Sequence, residues 1–213
     1  MADDALLELV TQRVVKKLKE YNTYQVPIGV SNRHVHVNQE DLEILFGKGY
    51  QLTKKSDLKQ PGQYASNETV TIRGPKGQFE HVRILGPVRS QSQIEISKTD
   101  SFRLGIRPPI RESGNLAGTP GLEIEGPKGT VILPQGAMIA LRHIHMTPKQ
   151  AAAMGVKDKD IVEVETFGER HGVFGDVLIR VSEQFSLEMH VDVDEANACS
   201  LNNKDYIVIR HKS

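Results

Sequence analysis

The segment Arg33-His34-Val35-His36 returns roughly half the chain later as Arg142-His143-Ile144-His145. Both copies follow strand-like sequence. Both run straight into a helix start, Val37-Asn38-Gln39-Glu40-Asp41 and Met146-Thr147-Pro148-Lys149-Gln150, with Asn38 and Thr147 as N-caps and Pro148 at the first helical position. A chain with this recurrence is expected to build two related halves, each running strand, His-x-His, helix N-terminus. In an extended strand, residues i and i+2 share a face, so both imidazoles of a pair can reach one ion. The helix N-terminus beside each pair adds N–H groups that favour an anion.

The rest of the chain reads as mainly β. Val70–Arg73 and Phe79–Leu85 flank Gly74-Pro75-Lys76-Gly77, and Leu122–Glu125 and Thr130–Leu133 flank Gly126-Pro127-Lys128-Gly129, so two hairpins with the same turn are expected. Further strands are expected at 91–97, 161–166, 176–182, 185–193 and 206–210. Many short strands between Gly/Pro turns point to barrels or sandwiches. Residues 147–164 read as a short helix, a Gly turn, an acidic turn and a Val-rich strand, which resembles the double-psi β-barrel pattern. Leu7, Val10, Val14, Leu18 and Tyr21 recur at helical steps over residues 3–21, with Asp3 and Asp4 at the start and Lys16, Lys17 and Lys19 near the end. This amphipathic helix looks appended to the β-rich remainder of the chain.

Composition narrows the function. The 27 basic and 27 acidic side chains balance, so no global field attracts nucleic acid or an anionic membrane, and anion binding must be local. No apolar run spans a bilayer and no secretory signal is visible. The single cysteine, Cys199, rules out an internal disulfide and suits a reducing cytoplasm. It reads as a small buried residue.

Two further donors stand out beside the paired histidines. Phe185, Leu187, Met189, Val191 and Val193 alternate, which puts His190 on the opposite face with Glu188 and Asp192. Arg89, Gln91, Gln93 and Glu95 share one parity while Ile94 and Ile96 take the other, so one polar strand face is expected to carry Glu95 and Arg89 together. His34, His36 and Glu95 then make three donors from the first half, and His143, His145 and His190 three from the second. Catalytic zinc commonly takes three protein ligands and keeps a position open. The N/O donor set suits Zn2+, with Co2+, Mn2+ or iron as alternatives. His81, His171 and His211 read as non-ligands, and Arg33 and Arg142 as ion-pair partners of nearby carboxylates. The Pro- and Gly-rich loop 107–121 carries Arg107 and Arg111, which suit the phosphates of a nucleotide. No nucleophile elbow and no phosphate loop is present.

These segments, Val30–His36, Gly86–Glu95, Gly105–Arg111 and Arg142–His145, together resemble the PduL-type phosphotransacylases, phosphate propanoyltransferases of bacterial microcompartments. The resemblance covers nearly everything after the leading helix. It implies two small β-barrels with a two-zinc active site between them: a leading helix over 1–22, a first barrel over 23–140 and a second over 141–213, with the strand at 26–30 as an alternative member of the second barrel. It implies His34, His36, Glu95, His143, His145 and His190 as metal ligands and Arg89 as the phosphate-contacting catalytic residue; for CoA the loop arginines Arg107 and Arg111 are the candidates, against the alternative of an ordinary surface loop. The implied reaction is acyl-CoA + phosphate ⇌ acyl phosphate + CoA, by direct attack of metal-bound phosphate on propanoyl-CoA or acetyl-CoA. It also implies that the leading helix directs the enzyme to microcompartment shell proteins, against the alternative that this helix packs on its own barrel or on a partner subunit. Self-association into a homo-oligomer is left open. Two rival expectations share the donor set: a two-metal hydrolase of thioesters or phosphoesters, and a non-catalytic shell-associated zinc protein.

Overall fold

The computed structural model describes residues 6–15 and 25–210. In chain order the elements are α1 (6–15), β1 (Gln25–Ser31), β2 (His34–His36), α2 (Gln39–Phe46), β3 (Lys54–Asp57), β4 (Tyr64–Arg73), β5 (Gln78–Gly86), β6 (Gln93–Glu95), α3 (Lys98–Leu104) and β7 (Ile110–Arg111). They continue with β8 (Leu122–Glu125), β9 (Thr130–Leu133), β10 (Ala137–Ala140), β11 (His143–Met146), α4 (Pro148–Ala153), β12 (Ile161–Thr166), β13 (Val173–Val181), β14 (Glu188–Asp192), α5 (Val193–Ala198) and β15 (Tyr206–Arg210). The fold is mainly β, as expected. One half is a closed six-stranded barrel, in the order β1-β14-β11-β13-β12-β15. The other is a nine-stranded half-barrel sheet, β7-β10-β6-β2-β5-β4-β8-β9 with β3 on β4, whose end strands do not join. Strand β1, which contains residues 26–30, stands in the closed barrel between β14 and β15.

Each half has its own core. Val26, Ile28, Ile144, Val164, Ile179 and Met189 fill the barrel, and Val35, Ile72, Ile84, Ile94, Leu104 and Ile124 fill the sheet together with Leu42 and Leu45 of α2. Each such side chain stabilises the fold by about 1.5–3 kcal/mol. Val35 and Ile144 are the middle residues of the two His-x-His strands. Burying them inward turns the flanking histidines to the opposite face.

Both Gly-Pro-Lys-Gly segments are hairpin turns, and each also closes a helix. The Lys76 N–H donates to the Leu104 carbonyl at the end of α3, and the Lys128 N–H to the Leu45 carbonyl in the last turn of α2. These carbonyls have no intrahelical partner, so the turn satisfies them. Only glycine permits the approach: a Cβ on Gly74 would lie 2.3 Å from Leu104 O, and one on Gly126 2.6 Å from Leu45 O.

Several local expectations are corrected. The strand expected over 91–97 forms only at Gln93–Glu95, and Arg89 lies in the preceding loop. The cause is Ser92, whose hydroxyl accepts from the Asn38 N–H and donates to the Asp41 carboxylate, tying residue 92 to the start of α2 instead of to a ladder. The strand expected over 185–193 begins at Glu188 and gives way to α5 at Val193. Of the helix expected over 3–21, residues 6–15 are helical and the remainder lies outside the described residues. Its apolar side chains, Leu6, Leu7, Leu9, Val10, Val14 and Val15, are all exposed. Among the described residues no helix is long and apolar enough to cross a membrane.

Candidate metal centre

Strands β2 and β11 occupy equivalent places. Each pairs in parallel with one strand, β5 or β13, and antiparallel with another, β6 or β14. The antiparallel registers set His34 opposite Glu95 and His143 opposite His190. Directly opposed residues share a face, so each pairing adds a third donor to a His-x-His pair. The structure thereby brings together His34, His36 and Glu95, and separately His143, His145 and His190, each trio with its ligand atoms within 4.8 Å of one another. Both trios, with Arg89, line one cavity of about 420 Å³ between the halves.

Hydrogen bonds fix which nitrogens face the cavity. Nδ1 of His34 lies 2.8 Å from the Asn32 carbonyl, and Nδ1 of His143 lies 2.8 Å from the Leu141 carbonyl. A carbonyl only accepts, so in the neutral rings the proton sits on Nδ1 and Nε2 carries a lone pair, the usual arrangement of a metal-ligating histidine. Nε2 of His143 faces Nε2 of His145 at 3.0 Å, while Nδ1 of His145 is buried with no partner. The polypeptide alone leaves this donor set unsatisfied, and its chemistry fits a borderline divalent ion such as zinc.

The two trios differ in charge. Burial drives His36 down to about 3, aided by the neighbouring His34 and Arg89. Burial likewise brings His143 to about 4, with His190 adding to it, and lowers His145, to which His143 and His190 contribute. These rings are neutral at pH 7. For His34 burial acts downward, yet the Glu95 charge and hydrogen bond raise its pKa. Burial opposes ionisation of Glu95, but His34, His36 and Arg89 hold it well below the ordinary carboxylate range.

A surrounding shell fixes these side chains. Ser113, in the loop after β7, donates its hydroxyl to Glu95 Oε1 at 3.0 Å and accepts from Arg89 Nη1 at 3.2 Å and Gln93 Nε2 at 2.9 Å. The Arg89 backbone N–H is anchored on the Val37 carbonyl. Across the cavity, Glu188 Oε2 lies 2.8 Å from His190 Nε2 and is reached by Gln60 Nε2. Gln60 comes from the other half and also binds both backbone groups of Ser186. Gly29 leaves the room, since a Cβ there would sit 2.8 Å from the Glu188 carboxyl. Sequence reasoning alone does not assign Ser113, Gln93, Glu188 or Gln60 to the site. For Gln93 and Glu188 a sequence signal exists, because each stands two residues before a ligand candidate on the same strand face.

The remaining expected residues are not donors of either trio. Arg107 and Arg111 do not line the cavity. Arg33 pairs with Asp100 through two nitrogens, and Arg142 with Glu195. His81 and His171 are exposed, Cys199 is buried in the barrel core, and His211 lies outside the described residues.

The sequence matches a known family. The family model for phosphate propanoyltransferase matches residues 27–202. The chain belongs to the phosphate propanoyltransferase family. A phosphate propanoyltransferase of Thermotoga maritima is 56% identical over 209 residues, covering 94% of this chain and 99% of the relative. One from Lachnoclostridium phytofermentans is 51% identical over 212 residues, covering 97% and 99%, and one from Salmonella typhimurium is 49% identical over 197 residues, covering 92% and 93%. Membership makes the chain an enzyme of the transferase class and supports phosphotransacylase activity.

Proposed function

We propose that the chain moves a short acyl group between CoA and inorganic phosphate, acyl-CoA + phosphate ⇌ acyl phosphate + CoA, with propanoyl as the natural group and acetyl as a close second. The observation that carries this is the meeting, in one cavity between the halves, of two donor trios and the half-buried guanidinium of Arg89. His34, His36 and Glu95 hold one divalent ion and His143, His145 and His190 a second, by donor type zinc. When bound, these ions supply Lewis-acid charge for the phosphate and for the thioester carbonyl oxygen.

The protein's own part is positioning. Arg89 neutralises and orients the phosphate dianion, with Ser113 holding its Nη1 and the Val37 carbonyl its backbone. A phosphate oxygen attacks the thioester carbon. The C–O bond forms, the C–S bond breaks, and CoA leaves as its thiolate. Phosphate is itself a competent nucleophile, and Cys199 lies in the barrel core away from the cavity, so no acyl-enzyme through a thiol is needed. Lys59 on the cavity wall is the nearer cation for CoA, with Arg107 and Arg111 serving only the part of CoA that extends beyond the cavity. The exposed apolar residues of α1 suit docking to a microcompartment shell protein in the cytoplasm. Deleting residues 1–20 removes encapsulation if this role holds and leaves it unchanged otherwise.

Chelator treatment followed by an assay of phosphate-dependent CoA release tests the metal role. Turnover should vanish and return with added Zn2+, and undiminished turnover refutes it. CoA release that needs no phosphate, with no acyl phosphate formed, identifies a hydrolase instead.

A further inference from the structure

We propose that Arg180 is a second anion-binding side chain of this site, gripping the phosphate with Arg89 from the opposite half of the molecule. The inference rests on phosphate being the substrate. Four arginines line the cavity: Arg33, Arg83, Arg89 and Arg180. Two are already engaged. Arg33 makes its two-pronged pair with Asp100, and Arg83 Nη1 donates to the Ser66 and Asn67 carbonyls, each at 2.9 Å. Arg180 is different. Its carboxylate contact among the described residues is Glu112, 3.5 Å from Nε, and that same Glu112 oxygen sits closer to Lys159, at 2.7 Å. Among the described residues neither terminal nitrogen of Arg180 makes a hydrogen bond, so their donors remain for an anion.

Its placement fits an anion between the halves. Arg180 is in register with His145 on the neighbouring parallel strand, so it stands beside the second trio. Its guanidinium lies 5.7 Å from the centre of the Phe185 ring, and the same ring packs edge-on against His145 at 4.3 Å. Arg89 and Arg180 line the same cavity from opposite halves, and the Arg180 charge acts, after burial and against Glu95, to lower the pKa of Arg89. The buried carboxylate near them, Glu95, is already engaged by His34 and Ser113. Two guanidiniums lining one cavity from opposite halves are an arrangement that a tetrahedral dianion satisfies, because each plane can present paired N–H donors. The loop after β7 sets their spacing, with Ser113 on Arg89 and the adjacent Glu112 on Arg180.

The test uses the metal-loaded full chain and two variants, Arg180→Gln and Arg180→Lys. It reads KM for phosphate, KM for acyl-CoA, metal per chain, and the Kd of inorganic phosphate by calorimetry. Arg180→Gln should raise phosphate KM and Kd by about tenfold or more at unchanged metal content, leave acyl-CoA KM within about twofold, and be partly rescued in Arg180→Lys. Should the glutamine variant not fold, a raised phosphate Kd in Arg180→Lys supports the assignment and a wild-type Kd overturns it. Wild-type phosphate affinity in both variants, or an acyl-CoA KM that rises as far as the phosphate KM, also overturns it. A native enzyme whose CoA release is independent of phosphate overturns both this inference and the proposed function.

Discussion

The two halves follow one plan and differ in a few side chains at its centre. In each, a His-x-His strand lies between a parallel and an antiparallel neighbour. The antiparallel neighbour runs into a helix whose capping box is Ser97 with Asp100 in the sheet half and Asp192 with Glu195 in the barrel half. The arginine before each histidine pair binds the acidic residue of that box, Arg33 to Asp100 and Arg142 to Glu195, and lies over a phenylalanine, Phe79 at 4.3 Å or Phe174 at 5.1 Å. Against this shared frame, Glu95 stands where the barrel half has His190, and Gln93 where it has Glu188. The frame fixes where three donors meet; the substitution decides their charge. One trio carries a carboxylate and a histidine with a raised pKa, the other three imidazoles, two of them with pKa values lowered by burial.

The largest effect should come from breaking either trio. His36→Ala or His143→Ala should each lower turnover by more than about 100-fold, since residues that only orient a ligand already cost about 10–100-fold, and metal analysis should find one ion lost per chain. Equal activity with one ion missing would mean that the trios do not act as one site. Next is the charge difference. His34 keeps a proton to higher pH than a free imidazole, and below its raised pKa that proton competes with the ion. Occupancy of the first trio therefore rises with pH. On acidification between about pH 7 and pH 5 it should release its ion before the second trio, in which His143 and His145 stay neutral to lower pH. Glu95→Gln, by removing the carboxylate charge, should lower first-trio metal affinity by about 10-fold or more; metal content after dialysis at stepped pH checks both statements.

Smaller effects sharpen the comparison. Ser113→Ala removes the hydroxyl shared by Glu95 and Arg89 and should cost about 1 kcal/mol of positioning, roughly fivefold in phosphate KM, with the fold unchanged. Smallest is the frame itself. Arg33 makes two short bonds to a buried Asp100, whereas Arg142 makes one 3.2 Å contact to the more exposed Glu195. Arg33→Ala should destabilise the fold by about 1–2 kcal/mol and Arg142→Ala by less than about 1 kcal/mol, measured as shifts in the urea midpoint.

Strand parity is enough to put His190 on one face with Glu188 and Asp192, while its meeting with His143 comes from the register between β11 and β14. Parity misplaces Arg89: it assumes one strand from Arg89 to Ile96, whereas Ser92 is tied to α2 and the chain bends there. Helices α3 and α5 have 7 and 6 residues, too few to show a period, although their capping boxes are present in the sequence. The loop 107–121 draws attention through its arginines, yet Ser113 and Glu112 are the residues that reach the site. A hydroxyl in a Gly-rich loop carries no local mark of its partners, because those partners lie in another strand and another loop. Closure of one sheet and not the other is equally hidden, since it depends on which distant strands meet.

The strand β1 gives that last point a temporal side. It is bonded to β15, so the first and last of the described strands are neighbours in the closed barrel. The barrel cannot close on the ribosome until β15 has emerged, while the sheet half, contained between β1 and β11, can pack earlier. Pairings between such distant segments form slowly. The chain crosses between the halves at two points, residues 32–33 and 141–142, and each of these short connections leads directly into a histidine of the site. Any rocking of one half against the other would pivot on the residues next to His34 and His143, so movement between the halves is felt first at the donors.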